Sequence, residues 1–328
     1  MIVPQYWAEA RRHQARGKGR PQVTVRRFGW SDTSQADAGQ MANQRAQEAF
    51  ERITSGVKLL RREPKIAYNG AEGVPIREEV LSRHGDVVVT RNAYGAHCLN
   101  TPDVVFADID FATSPGGRMI LFHGLTLLAG GIALGIAARL GGIAVFVAFL
   151  LALACAYPLA ALTNKLVLRL RGGPERYARA RVESFVRRHV DWHLRLYRTP
   201  AGFRVLAMHG VRDPREPIVT EFFAALGVDP VYAKMCRNQH CFRARVSPKP
   251  WRIGIGGHMR PRPGVWPVKP EHLEKRQSWI RNYETVAMRF ASCRFIEAIG
   301  SGTVHPKADA VCTLHDRMSQ ALSGMEIA

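Results

Sequence analysis

Apolar positions dominate one stretch of the chain and are periodic or sparse elsewhere. From Met119 to Asn164 two apolar runs, MILFHGLTLLAGGIALGIAA and GGIAVFVAFLLALACAYPLAALT, are split by Arg139 and the pair Gly141-Gly142. Each run is about 20 residues, the length a helix needs to cross roughly 30 Å of hydrocarbon. Lipid offers the backbone no hydrogen-bond partner, so such runs are helical. Core helices of a water-soluble protein would carry polar positions every three or four residues. Here the exceptions are His123 and Thr126, and no charge falls between Gly142 and Leu162. The pattern predicts a transmembrane helical hairpin over 118–165, with helices at 119–138 and 142–164. Gly124, Gly130, Gly131 and Gly135 recur in the first run, and small residues let helices approach closely in lipid.

The flanking segments read as mixed α and β. Residues 1–30 are basic and weakly patterned, which predicts a mobile stretch over Arg11–Arg27. Ser34 followed by Asp37 resembles a capping box, and Met41, Phe50 and Ile53 then fall at helical spacing up to Gly56. Turn residues crowd 68–76. Ile76–Arg83 reads as a short helix or an extended segment. Asp86–Thr90 and Val104–Phe111 read as strands. Beyond the hairpin a basic amphipathic helix is expected over Pro174–Arg195, then a strand at Arg204–Met208. Helices follow over Pro217–Gly227 and from Pro230 towards Asn238, a strand over Phe242–Val246, and a long helix over Pro270–Ile299.

The expected fold class is an α+β cytoplasmic domain with a mixed sheet, interrupted by the hairpin. The expected parts are 1–117, 118–165 and a basic 166–328 that co-folds with 30–117. On this reading strands 86–91, 104–111, 203–208 and 242–246 share one sheet.

Charge sets the orientation. Arg118 precedes the first run; Lys165, Arg169, Arg171, Arg176, Arg179 and Arg181 follow the second; only Arg139 lies between. Basic flanks stay in the cytoplasm, so both termini are expected there, in a multi-pass protein of a bacterial inner membrane. The first 30 residues lack the apolar segment of a signal peptide. The six cysteines are scattered, and disulfides are not expected. The formal charge of +20 calls for an acidic partner: anionic lipid headgroups, nucleic acid or a phosphorylated small molecule. It clusters in Lys165–Arg215, where lipid is the simplest partner, and in Arg237–Arg276. The second cluster carries Trp251 and Trp266 among arginines and prolines. Arginine with aromatics can stack on a nucleic-acid strand; the same composition also suits a proline-rich surface loop.

Candidate chemistry centres on Asp108 and Asp110. In a strand, positions i and i+2 share a face, and paired carboxylates suit Mg²⁺. The plainer reading is a strand end reaching solvent. VFADIDF (105–111) resembles the acidic strand motif of archaeo-eukaryotic primases and primase-polymerases, and RTPAGFR (198–204) resembles their second motif, Thr-Pro-Ser-Gly-Gly, one residue, then His. The resemblance implies a metal-dependent nucleotidyl-transfer enzyme of primase-like or ferredoxin-like fold, with Asp108 and Asp110 as metal-holding catalytic carboxylates. Arg204 stands near the family's histidine, and arginine binds phosphate through its planar fork. The whole chain also resembles a family of uncharacterised proteobacterial transmembrane proteins, which implies location. The candidate ligand-binding residues are Arg198, Arg204, Arg243, Lys249 and Arg252. Weaker constellations are His189 with His193 on one helix face, Cys236 with His240 and Cys241, His97 with Cys98, and Cys293, His305, Cys312 and His315 as a structural metal set.

Two functions follow. One is an integral membrane protein whose cytoplasmic α/β module binds an anionic ligand. The other is the nucleotidyl-transfer enzyme.

Overall fold

The computed structural model describes residues 3–17, 22–61, 75–111, 114–139, 141–262 and 266–328. The turn-rich segment expected over 68–76 lies outside these residues except for its last two. The chain divides into two units: 1–109 with 186–328, and 110–185.

In chain order the first unit begins with strands β1 (Tyr6–Gln14) and β2 (Val23–Ser31) and helix α1 (Gln35–Thr54). The two strands pair antiparallel, which corrects the expectation of a mobile stretch over Arg11–Arg27. Their arginines mask the alternation: Val23, Val25 and Phe28 are buried between them. Helix α1 lies close to β2 because its facing positions are Ala38, Ala42, Ala46 and Ala49, all buried. The opposing residue is Gly29, where a methyl group would overlap the Ala38 carbonyl and the Ala42 amide. The Ser34 hydroxyl accepts from the Asp37 amide at 3.1 Å, satisfying one of the helix's free N-terminal donors.

Strands β3 (Glu79–His84), β4 (Val87–Arg91), β5 (His97–Thr101) and β6 (Phe106–Asp110) precede the second unit. After it come β7 (His193–Arg198), β8 (Gly202–Ala207), helices α5 (Pro217–Leu226) and α6 (Pro230–Gln239), β9 (Phe242–Arg245), α7 (Leu273–Ala287), β10 (Arg294–Gly300) and α8 (Pro306–Ser319), the numbers α2–α4 being kept for the second unit. The expected single mixed sheet is instead two four-stranded antiparallel sheets, ordered β3-β4-β5-β9 and β10-β7-β8-β6. Thus β4 and β9 share one sheet and β6 and β8 the other. Each sheet draws strands from both sides of the intervening unit.

Three further expectations change. The long helix over Pro270–Ile299 is α7 followed by β10, where half-buried Phe295, Glu297 and Ile299 alternate with exposed Arg294, Ile296 and Ala298. That is the period of a strand. The helix expected to reach Arg195 ends at Arg188, and His193–Arg198 is a strand. The extended alternative for Ile76–Arg83 holds, as β3.

The second unit contains α2 (Gly117–Ala137), α3 (Gly141–Leu170) and most of α4 (Pro174–Arg188). Helices α2 and α3 pack through small residues. A methyl at Gly131 would overlap Ala148, and one at Gly124 would sit 3.6 Å from the Ala156 methyl. Ala148, Ala152, Ala156 and Ala160, one per turn, are buried. Both helices are long and apolar enough to cross a membrane, and only 6% and 22% of their most apolar windows are buried. A core helix of a soluble protein would be mostly buried. Helix α3 runs six residues past the expected end at 164, to Leu170.

Candidate functional site

Strand β6 leads from core to surface along one face. Phe106 is fully buried, Asp108 is partly exposed, and Asp110 at the strand end is exposed. The neighbouring strand β8 supplies Arg204, which is 1% exposed. Its Nε donates to Asp108 Oδ1 at 2.8 Å and its Nη2 to Oδ2 at 3.2 Å. Its Nη1 donates to the Arg245 carbonyl at 2.7 Å. Burial disfavours the guanidinium charge, but Asp108 outweighs it and the proton is held more tightly than usual. The two motif patches, VFADIDF and RTPAGFR, therefore lie on adjacent strands and meet through one bidentate ion pair.

In this arrangement Asp108 is committed to Arg204 rather than open to a divalent cation. Both Asp108 oxygens already accept from Arg204, which supplies the compensating charge a metal would bring. Among the described residues no group of three or more His, Cys, Asp or Glu side chains comes together as metal ligands.

Behind Arg204 lies a network that sequence reasoning did not assemble. Helix α8 carries His315 and Asp316, and Cys293 precedes β10. His315 Nδ1 lies 2.9 Å from Asp316 Oδ1, and its Nε2 is 3.8 Å from Cys293 Sγ and 3.4 Å from Arg204 Nη1. Burial opposes charge on His315, yet Cys293 and Asp316 raise its proton affinity. Burial pushes the Cys293 thiol up, but His315 and Arg204 bring it below the ordinary thiol value. Burial likewise raises the Asp316 carboxyl, and its contacts with His315 and Arg195 turn the balance downward. The composition is that of a nucleophile, a base and an orienting acid. Cys293 and His315 are both 0% exposed, so the sulfur is enclosed and the network lies inside the fold. Only its Asp316 end approaches solvent, in a 540 Å³ depression also lined by Arg195, Cys312 and Arg317. The sequence signal was the His315-Asp316 dipeptide. Its partner Cys293 is 22 residues away, on a stretch read as helix.

The remaining candidates separate. Arg243 is a core residue: Nη2 donates to both oxygens of Glu78 at 2.8 and 2.6 Å, and Nη1 to Asn100. Arg198 braces the turn between β7 and β8 through the carbonyls of Thr199 and Gly202. Lys249 and Arg252 flank Trp251, which is 54% exposed. Lys249 Nζ sits 5.4 Å from the centre of that ring, within reach of a cation–π contact, and Tyr94 packs edge-on to it at 5.2 Å. Arg245, two residues after Arg243 on the same face of β9, reaches the Tyr94 hydroxyl. Its Nε is buried and donates to nothing among the described residues. Arg245 joins the two regions: its carbonyl holds Arg204 and its side chain turns towards Tyr94, beside Trp251.

The weaker constellations dissolve. His193 is on β7, not on a helix with His189, which lies 3.0 Å from Glu221. His305 caps α8, accepting from the Lys307 amide. Cys236 and Cys241 are buried, and His240 ends α6 in the left-handed region at φ 51°. Cys98 is buried, and His97 is pushed down to about 4 by burial and Arg91, against Glu284.

Comparison with protein-family models, curated proteins and solved structures returns no match.

Proposed function

We propose that this chain is a bilayer-anchored module that binds an anionic ligand, a phosphorylated molecule or a nucleic-acid strand, on the surface formed by Arg245, Tyr94, Lys249, Trp251 and Arg252. The observation that carries this reading is Trp251, 54% exposed between Lys249 and Arg252, with Lys249 Nζ 5.4 Å from its ring centre and Tyr94 edge-on to it at 5.2 Å. A phosphate group can lie against the Lys249 and Arg252 side chains. The exposed Trp251 ring beside them suits stacking against a base. The anchor is the α2–α3 hairpin, in a bacterial inner membrane, with both termini in the cytoplasm by the distribution of Lys and Arg.

The test is fluorescence anisotropy on the full chain in detergent, with labelled ATP and a labelled single-stranded oligonucleotide as probes. At least one probe should bind with affinity that falls as salt rises. Arg245→Gln and Trp251→Ala should each weaken it, and Arg317→Gln on α8 should not. Binding of neither probe would end this reading. Reporter fusions after Gly117 and Arg171 should both report the cytoplasm and one at Gly142 the opposite side.

A metal-dependent nucleotidyl-transfer enzyme of primase-like fold has one observation in its favour, the adjacency of the two motif strands. It requires Arg204 to release Asp108. Divalent-dependent nucleotide binding abolished by Asp108→Asn with Asp110→Asn would favour it.

A further inference from the structure

The two apolar helices differ in length. Helix α2 has 21 residues and α3 has 30, or about 31 and 45 Å at 1.5 Å per residue. Their contacts, Gly124 with Ala156 and Gly131 with Ala148, fix an antiparallel register. Extending that register puts the start of α2 level with Thr163, so the last two turns of α3 project about 11 Å further. On this projection Lys165 and Arg169 are exposed and four residues apart, hence on one face. Leu166 and Leu170 beside them are 55% and 79% exposed. Arg171 follows, and Gly172 and Gly173, at φ 80° and 97°, turn the chain sharply into α4 with Arg176 in its first turn. Arg118 occupies the first turn of α2.

Two facts describe the charge of this group. No aspartate or glutamate occurs from Phe111 to Pro174, and the one carboxylate in the first turn of α4 is Glu175, beside Arg176. None of Arg118, Lys165, Arg169, Arg171 and Arg176 makes an ion pair among the described residues; Arg171 only lies over the Tyr177 ring, at 4.7 Å. By contrast, the buried Arg204 and Arg243 are each matched with a carboxylate. Leucines left exposed at the same level as unmatched cations suit neither water nor hydrocarbon alone. They suit the boundary, where leucine meets acyl chains and lysine or arginine meets phosphate.

We propose that the projecting end of α3, with the first turns of α2 and α4, is a collar that binds the phosphates of anionic phospholipids in the adjoining leaflet. This rests on the bilayer reading above and narrows the lipid expected for Lys165–Arg215 to a preference carried by named residues at one end of the hairpin. Free phosphate has the same oxygens but gives the exposed leucines nothing to contact, so the lipid is the better match.

The full chain reconstituted in phosphatidylcholine vesicles, with trace spin-labelled phosphatidylglycerol or spin-labelled phosphatidylcholine, provides the test. Both labels should show a motionally restricted component. The glycerol lipid should associate more strongly, by roughly five-fold for each basic residue engaged at low salt, and the preference should fall at high salt. Combining Lys165→Gln, Arg169→Gln, Arg171→Gln and Arg176→Gln should abolish the preference while keeping restricted phosphatidylcholine, which reports insertion. Arg139→Gln at the opposite end should leave the preference intact, as should Lys165→Arg with Arg169→Lys. Equal restriction of the two labels in the wild type overturns the collar alone. So does displacement of the labelled glycerol lipid by inorganic phosphate at constant ionic strength. Absence of any restricted component overturns the collar together with the bilayer reading.

Discussion

Arg243 and Glu78, 165 residues apart, form an ion pair in which both side chains are almost wholly enclosed, at 3% and 1% exposure. The pair joins β9 to the residue just before β3, and so links the parts of the first unit on either side of the hairpin. Thr90 also donates to Glu78, and Asn100 accepts from Arg243, so the charges have hydrogen-bonding support as well as each other.

Removing one partner should therefore be far worse than removing both. Glu78→Ala leaves the guanidinium buried without its counter-charge, and about 3–5 kcal/mol of stability should be lost. Glu78→Leu combined with Arg243→Met should recover most of it. Chemical unfolding of the three variants in detergent reads this directly. Equal losses for the single and double variants would show that the pair contributes packing alone.

Asp108→Asn should lower stability by about 2 kcal/mol, because a charge-assisted bidentate contact to a buried guanidinium is weakened. The loss should be smaller than for Glu78, since Asp108 is 38% exposed and water reaches Arg204 from that side. Thermal unfolding of the two variants in parallel gives the ranking.

Two glycines ten residues apart should respond with opposite signs. Gly29→Ala drives a methyl into the backbone of α1 and should cost about 1–3 kcal/mol. Gly39→Ala lies within α1 with open space around it and should gain up to about 1 kcal/mol from helix propensity. Denaturation midpoints of the two variants decide the matter.

His97 should give the first unit an acid-sensitive component. Its folded value is about 4, set by burial and Arg91, against an ordinary value near 6.5. Between those limits the unfolded chain binds a proton that the folded one does not. Stability therefore declines as pH falls below about 6.5, and the decline from this group is complete near pH 4, at up to about 3 kcal/mol. His97→Gln should flatten that part of the stability profile. An unchanged slope would mean that Glu284, 3.5 Å away, keeps the imidazole charged in the folded state.

Legibility followed the physical strength of each signal. The hairpin could be read because absence of charge over 20 residues has few other causes. Strand β4 could be read from its run of β-branched residues, and β6 from the apolar Val104-Val105-Phe106 that leads into it. Strands β1, β2 and β10 were not read, since charged residues interrupt the apolar alternation: Glu9 and Arg11 on the exposed side of β1, the buried Arg27 on β2, and Glu297 on the half-buried face of β10. The site was half legible. Asp108 and Arg204 were brought together from a motif, but Arg243 and Arg245 fall on one face of one strand, and nothing local distinguishes them. Their roles are assigned by Glu78 on one side and Tyr94 on the other, both distant in sequence. Cys293 with His315 required knowing that β10 is a strand.

The division of the first unit around the hairpin also sets an order of events during synthesis. Strand β5 finds its partner β9 only after some 140 further residues have been made; the insertion itself, 110–185, leaves the ribosome in between. A flexible insertion of that length would keep the two halves at arm's length and tax their meeting by its loop entropy. Antiparallel pairing of α2 and α3 removes much of that penalty, because it returns the chain to the side from which it left. The hairpin is in this sense a folding clamp, and lengthening the turn at Arg139 should slow maturation of β5 with β9 before it alters the finished protein.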